Sequence, residues 1–217
     1  NVELTHAGFG TMNGPDGKPF KTRAGGVMKL EDLIAMGLEK AHARLNDATL
    51  ADDIDVAERD DIAEKVAIAA IKFADLQNNR ISDYVFDLDQ MTAFEGKTGP
   101  YLLYQAVRIR SLLRKAADQN LAVGGAFDIR DEDRSLVLLL SEFPDHFETA
   151  LRNYTPHVLC DYAFKLAQAF SSFYGNCHIL SEEDDGLRAS RLALCDLTQR
   201  QVVLILELLG IEVPVRM

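Results

Sequence analysis

No stretch of this sequence is apolar for long enough to cross a bilayer, which takes about 20 residues. The densest run, Leu136 to Leu140, is short and sits between Asp131, Glu132, Asp133 and Arg134 on one side and Glu142 on the other. Cysteine pairing is absent too: Cys160, Cys177 and Cys195 are an odd number with no Cys-x-x-Cys spacing. That excludes a disulfide framework and a paired-cysteine zinc site. The three read as small buried hydrophobes in a reducing, cytoplasmic setting. There is no signal peptide, and the chain opens on Asn1 without an initiator methionine, so we expect a portion of something longer. Cations are scarce as well, with 23 Lys and Arg against 34 Asp and Glu, a net charge of −11. Nucleic-acid modules usually carry a basic footprint. Net charge, however, governs solubility and steering and is silent on a local patch. What counts is where the few cations lie.

What is present is the composition of an ordinary globular protein, 47% hydrophobic and 26% charged over 217 residues, enough for one large domain or two smaller ones. The head is rich in glycine (Gly8, Gly10, Gly14, Gly17, Gly25, Gly26) and holds a basic cluster, Lys18, Lys21 and Arg23. It reads as short strands and a mobile loop. Helical periodicity then takes over. Leu30, Leu33, Ile34, Leu38, Ala41 and Leu45 mark one amphipathic helix, and Ile62, Val66, Ala69, Ala70 and Phe73 mark a second from about Ala57 to Leu76. The acidic stretch Asn46 to Asp55 separates them. The segment Ile81 to Phe94 reads as a short strand or turn. From Pro100 the pattern predicts long helices near 100–120, 131–153, 156–179 and 183–209. Pro100 suits a helix start, Ser181 with Asp184 resembles a capping box, and Gly210 suits a helix end.

The helix near 100–120 carries an unusual face. At roughly 100° per residue from Pro100, Leu102, Ala106, Ile109, Leu113, Ala116 and Ala117 form a core stripe. Tyr101, Tyr104, Arg108, Ser111 and Lys115 fall on the opposite side. From Arg108 to Lys115 there are four cations, Arg108, Arg110, Arg114 and Lys115, and no acid. Aromatic rings that stack bases, beside cations that pair with phosphate, are the chemistry of a single-strand nucleic-acid platform. Two packed tyrosines in a bundle buried on two sides give the same pattern. His157, Cys160, Cys177 and His178 fit no common zinc spacing, and we assign no metal site.

These same residues carry a resemblance. Phe94-Glu95-Gly96-Lys97-Thr98-Gly99-Pro100-Tyr101-Leu102-Leu103-Tyr104 resembles the F-E-G-N-T-A-P-Y-x-x-Y signature of arginyl-tRNA synthetases. Gly17 to Gly26, Asp83-Tyr84-Val85-Phe86-Asp87, Thr155-Pro156-His157-Val158 and the ending Leu209 to Met217 resemble the same family in the same order. The resemblance spans essentially the whole chain. It implies a mainly α fold, the helical-bundle anticodon-binding domain of class I synthetases, preceded by a short α/β remnant of the catalytic domain. It divides the chain into the end of the catalytic domain (1–28), connecting helices (29–96) and the bundle (97–217).

The family's activity is ATP-dependent attachment of arginine to its tRNA through an arginyl-adenylate. The expected partners of the complete enzyme are therefore arginine tRNA, arginine and ATP with Mg2+, with no membrane and a monomeric state. The His-Ile-Gly-His-like nucleotide-binding signature does not occur here, so no cofactor is expected in this chain and it should not aminoacylate alone. By position, Tyr101, Tyr104 and Arg108 match family residues that hold anticodon-loop nucleotides, with Lys115 on the same face. Met217 matches a family-typical final methionine near that loop. Lys21 and Arg23 lie where the class I Lys-Met-Ser-Lys-Ser loop falls, although Thr22 stands in place of its second lysine. Cations on such a mobile loop suit clamping of a pyrophosphate leaving group. One rival reading is a free-standing helical interaction domain that uses the Tyr101/Tyr104/Arg108 face, since Tyr and Arg also anchor protein interfaces. The other is a small hydrolase or metal enzyme built on the histidines.

Overall fold

The computed structural model describes residues 2, 4–19, 29–47, 55–124 and 128–217. In chain order these form β1 (Met12–Asn13), α1 (Leu30–Asp47), α2 (Val56–Leu76), β2 (Tyr84–Val85), α3 (Leu88–Met91), α4 (Gly99–Asp118), α5 (Arg134–Ser141), α6 (Phe143–Asn153), α7 (His157–Asn176) and α8 (Asp185–Leu208). The architecture is mainly α with a small non-helical head. β1 and β2 pair in parallel, Met12 opposite Tyr84 and Asn13 opposite Val85. The Asp83 carboxylate pins this contact by accepting from the Thr11 amide at 2.7 Å and its hydroxyl at 2.9 Å. Those two donors hold the Asp83 carboxyl below its ordinary range.

Helix α4 begins where local chemistry starts a helix. The Thr98 hydroxyl accepts from the Tyr101 amide at 3.2 Å and donates to the Ala93 carbonyl at 2.6 Å, while Pro100 fills the first turn. Gly99 has a separate role. It stands where the family signature carries alanine, and a Cβ there would collide with the backbone carbonyl of Ala69 in α2. The two helices therefore meet backbone to backbone at this point.

Two expectations are corrected. The single helix expected over 131–153 is two, α5 and α6, broken at Glu142. Pro144 has no amide to give to the Leu140 carbonyl, and its ring obstructs the preceding turn. The bundle compensates: Gln201 of α8 donates to the Leu140 carbonyl at 3.0 Å, and Tyr162 of α7 donates to the Leu139 carbonyl at 2.9 Å. The second correction concerns α8, where Asp184 rather than Ser181 is the cap. Its carboxylate accepts from the amides of Gly186 at 2.8 Å and Leu187 at 3.0 Å, which holds its carboxyl below the ordinary range. Gly210 ends α8 in the left-handed region, at φ +70°.

One continuous core joins Ala41 and Leu45 of α1, Val66 and Phe73 of α2, Leu102 and Ile109 of α4, Leu166 and Phe170 of α7, and Leu192 and Ile205 of α8. The helices of 29–96 thus share apolar packing with those of 97–217. A smaller cluster of Leu33, Ala70, Ala74, Phe86 and Met91 secures the head.

Because α2 and α4 touch through Gly99, Gly99→Ala is expected to overpack that contact and lower stability by about 1–3 kcal/mol. A thermal or urea melt checks this; an unchanged midpoint would mean that the two helices separate without cost.

Candidate nucleic-acid interface

The burial of α4 defines the site. Leu102, Leu103, Gln105, Ala106, Val107, Ile109, Leu112 and Ala116 are all buried, an arc far wider than the single apolar stripe expected. What remains open is a seam through Tyr104, Arg108, Ser111 and Lys115, with Arg114 and Ala117 also exposed, Ala117 against its expected place in the core stripe. Tyr101 lies at its rim and is half-buried, its ring edge-on to Phe164 of α7 with centroids 5.7 Å apart. Tyr104, one turn on, is 37% exposed. The two tyrosines therefore occupy different environments: one is part of the helix packing, the other faces solvent.

A cleft of about 220 Å³ opens beside the seam, lined by Tyr104, Arg108, Arg110, Ser111, Arg114 and the tail residues Val215 to Met217, with Val107 at its base. It brings together three of the residues expected from the sequence to bind, Tyr104, Arg108 and Met217, the last from the far end of the chain. Lys115 is on the same face but outside the cleft, exposed, and makes no ion pair among the described residues. Lys21 and Arg23 lie outside the described residues.

The electrostatics favour an anion. Four guanidinium groups line the cleft and no Asp or Glu side chain does, inside a chain of net charge −11. Their attachments differ. Arg108 lies over the Tyr174 ring, 4.5 Å from its centroid, a cation–π contact that orients the guanidinium. Arg110 donates to the Pro214 carbonyl at 2.7 Å. Arg114 reaches Ser111 at 3.3 Å. Arg216 pairs with Glu58 of α2. Tyr174 and Glu58 carry no local signal in the sequence, because each acts on a partner far along the chain.

The imagined metal cluster does not assemble. His157 and Cys160 begin α7 whereas Cys177 and His178 follow its end, some 25–30 Å away along a helix of 20 residues. Cys160 is fully buried, which pushes its thiol up to about 12. Among the described residues no group of three His, Cys, Asp or Glu is placed to hold a metal ion, and no helix is long and apolar enough to cross a membrane.

Residues 102–217 match the family described as the DALR anticodon binding domain. The chain belongs to the DALR anticodon-binding family. Residues 1–88 match a second description, the catalytic domain of class I tRNA synthetases (R). This DALR chain is 53% identical over 214 residues to the arginine–tRNA ligase of Maricaulis maris, covering 99% of this chain and 36% of that protein. It is also 53% identical over 215 residues to that of Hyphomonas neptunium, with the same shares covered. The arginyl-tRNA synthetase structure from Thermus thermophilus superposes with a TM-score of 0.83 at 28% identity, over 96% of this chain and 35% of that one. The chain thus spans little more than a third of the curated relatives it matches.

The difference between the tyrosines yields a direct expectation. Tyr101→Ala should lower stability by on the order of 2 kcal/mol through lost packing on Phe164. Tyr104→Ala should stay within about 0.5 kcal/mol of the parent. Parallel denaturant melts check this, and equal losses would place both rings in the core.

Proposed function

We propose that the α4 seam and the tail cleft receive the anticodon loop of arginine tRNA, and that this chain serves that recognition within an arginine–tRNA ligase. The observation that carries the reading is the cleft itself: an exposed aromatic ring, an oriented arginine and a flexible thioether converge where no acidic side chain lines the wall. A base stacks on Tyr104 at a typical gain of ~1–3 kcal/mol. Arg108, fixed over Tyr174, donates to a base edge or phosphate. Met217 supplies a polarizable contact surface for a ring. Tyr101 shapes the rim, and Lys115 meets the phosphate backbone one to two turns away. Residues 97–217 act as the binding unit, 29–96 as connecting helices, and 1–28 as the end of the catalytic domain, with Lys21 and Arg23 in the loop facing the pyrophosphate.

The complete enzyme would use ATP with Mg2+ and arginine, as a monomer in the cytoplasm. The family's nucleotide-binding signature does not occur in these 217 residues, and no step of the reaction is assigned to the described residues. Arginine-dependent ATP–pyrophosphate exchange by this chain alone is therefore expected to be absent; a measurable rate would overturn the division of labour.

A titration of the chain with arginine tRNA and an anticodon-swapped version of it, at two salt concentrations, tests the binding role. The native anticodon is expected to bind more tightly, with affinity falling steeply as salt rises. Equal affinity for both would refute anticodon recognition by this chain and return the Tyr104 face to a protein partner.

A further inference from the structure

Beyond α8 the chain has no helix or strand, and such an ending is ordinarily frayed. Here the segment after Leu208 is tied at alternate positions. Lys72 donates to the Gly210 carbonyl. Lys65 pairs with Glu212 at 2.8 Å. Arg110 donates to the Pro214 carbonyl at 2.7 Å and approaches that of Val215 at 3.4 Å. Arg216 forks onto both carboxylate oxygens of Glu58, with Nε 2.7 Å from Oε1. Ile211, between the first two tethers, and Pro214, which carries the third, are buried.

Three of the four partners lie on one helix at a fixed interval. Glu58, Lys65 and Lys72 are seven residues apart in α2, two helical turns, and so share one face. From Glu58 to Lys72 the helix rises about 21 Å at 1.5 Å per residue. From Gly210 to Arg216 an extended chain covers about 20 Å at 3.3–3.4 Å per residue. The two lengths agree, and the tail runs back along α2 in the opposite direction. A carbonyl and an acid face the two lysines, and a cation faces the glutamate. A slip of the tail by two residues would still offer each lysine a carbonyl or an acid, but it would take the cation from Glu58, because Arg216 is the one cation after Leu208. Each contact is exposed enough to be weak alone; together they fix a register.

We propose that Glu58, Lys65 and Lys72 of α2, with Arg110 of α4, are positioning residues for tRNA recognition: they lock the register of residues 210–216 and so seat Met217 in the cleft. This rests on the anticodon reading above. For α2 it assigns a binding role to residues that do not line the cleft and that lie outside the part of the chain matched to the anticodon-binding family.

The test uses the full chain with Glu58→Arg, and the charge-swapped double variant Glu58→Arg/Arg216→Glu. Two quantities are read: backbone 15N order parameters of residues 212–217 (Pro214 excepted), with α8 as the fold control, and the affinity ratio between arginine tRNA and its anticodon-swapped form. The ratio cancels the sequence-independent effect of added charge. Glu58→Arg is expected to lower the tail order parameters below about 0.6, the flexible range, and to shrink the ratio roughly tenfold, with α8 unchanged. The double variant is expected to restore the tail order of the parent; Arg216 itself lines the cleft, so the ratio is read on Glu58→Arg alone. Unchanged tail order in Glu58→Arg would refute the lock, and a loosened tail with an intact ratio would refute its role in recognition. If the unaltered chain shows an ordered tail, its order lost and regained as stated, but no anticodon preference, the anticodon reading fails while the lock stands.

Discussion

The rest of the structure depends on how closely α4 is enclosed. Gly99 lets its first turn rest on the α2 backbone at Ala69, and the remaining turns pack into the core shared with α7 and α8. A helix held on so many sides has one exposed strip left. Whatever occupies that strip is presented in a fixed orientation, because the backbone beneath it cannot rotate without breaking the core. Tyr104 owes its placement to this constraint, and Arg108 owes its own to this constraint together with the Tyr174 ring.

The second wall of the cleft comes from the opposite end of the chain. Polar tethers from α2 and α4 hold an otherwise irregular tail, and Tyr174 of α7 holds Arg108 from beneath. Four parts of the chain thus converge on one small cleft. Such a site is pre-organised, so a ligand meets groups whose ordering cost has already been met by folding. The acidic balance of the chain is compatible with this. No acidic side chain lines the cleft, and Glu58, close by, is engaged in holding Arg216.

The helices were legible in the sequence because the apolar periodicity of α1, α2, α4, α7 and α8 follows the core they build. The face of α4 was legible for the same reason. Two kinds of feature were not. Local breaks such as Pro144 were masked by the strong apolar run Leu136 to Leu140, which continues the helical pattern up to the break. Pairings between distant segments left no periodic trace: nothing in the local sequence separates half-buried Tyr101 from exposed Tyr104, or joins Arg108 to Tyr174 and Arg216 to Glu58. The family resemblance named Tyr104, Arg108 and Met217 as neighbours of one ligand; it carried no information on what holds them together. Lys21 and Arg23 lie outside the described residues, and the role of their loop is a proposal.

The most direct measurement uses the methionines as reporters. The chain labelled with 13C at its methionine methyl groups would be titrated with the anticodon stem-loop of arginine tRNA and followed by NMR. A base entering the cleft should shift the Met217 methyl strongly through its ring current, while Met12, Met36 and Met91, in β1, α1 and α3, stay in place. A Met217 signal that does not move while binding proceeds, or a larger shift at Met12, Met36 or Met91, would contradict the placement of the ligand in this cleft.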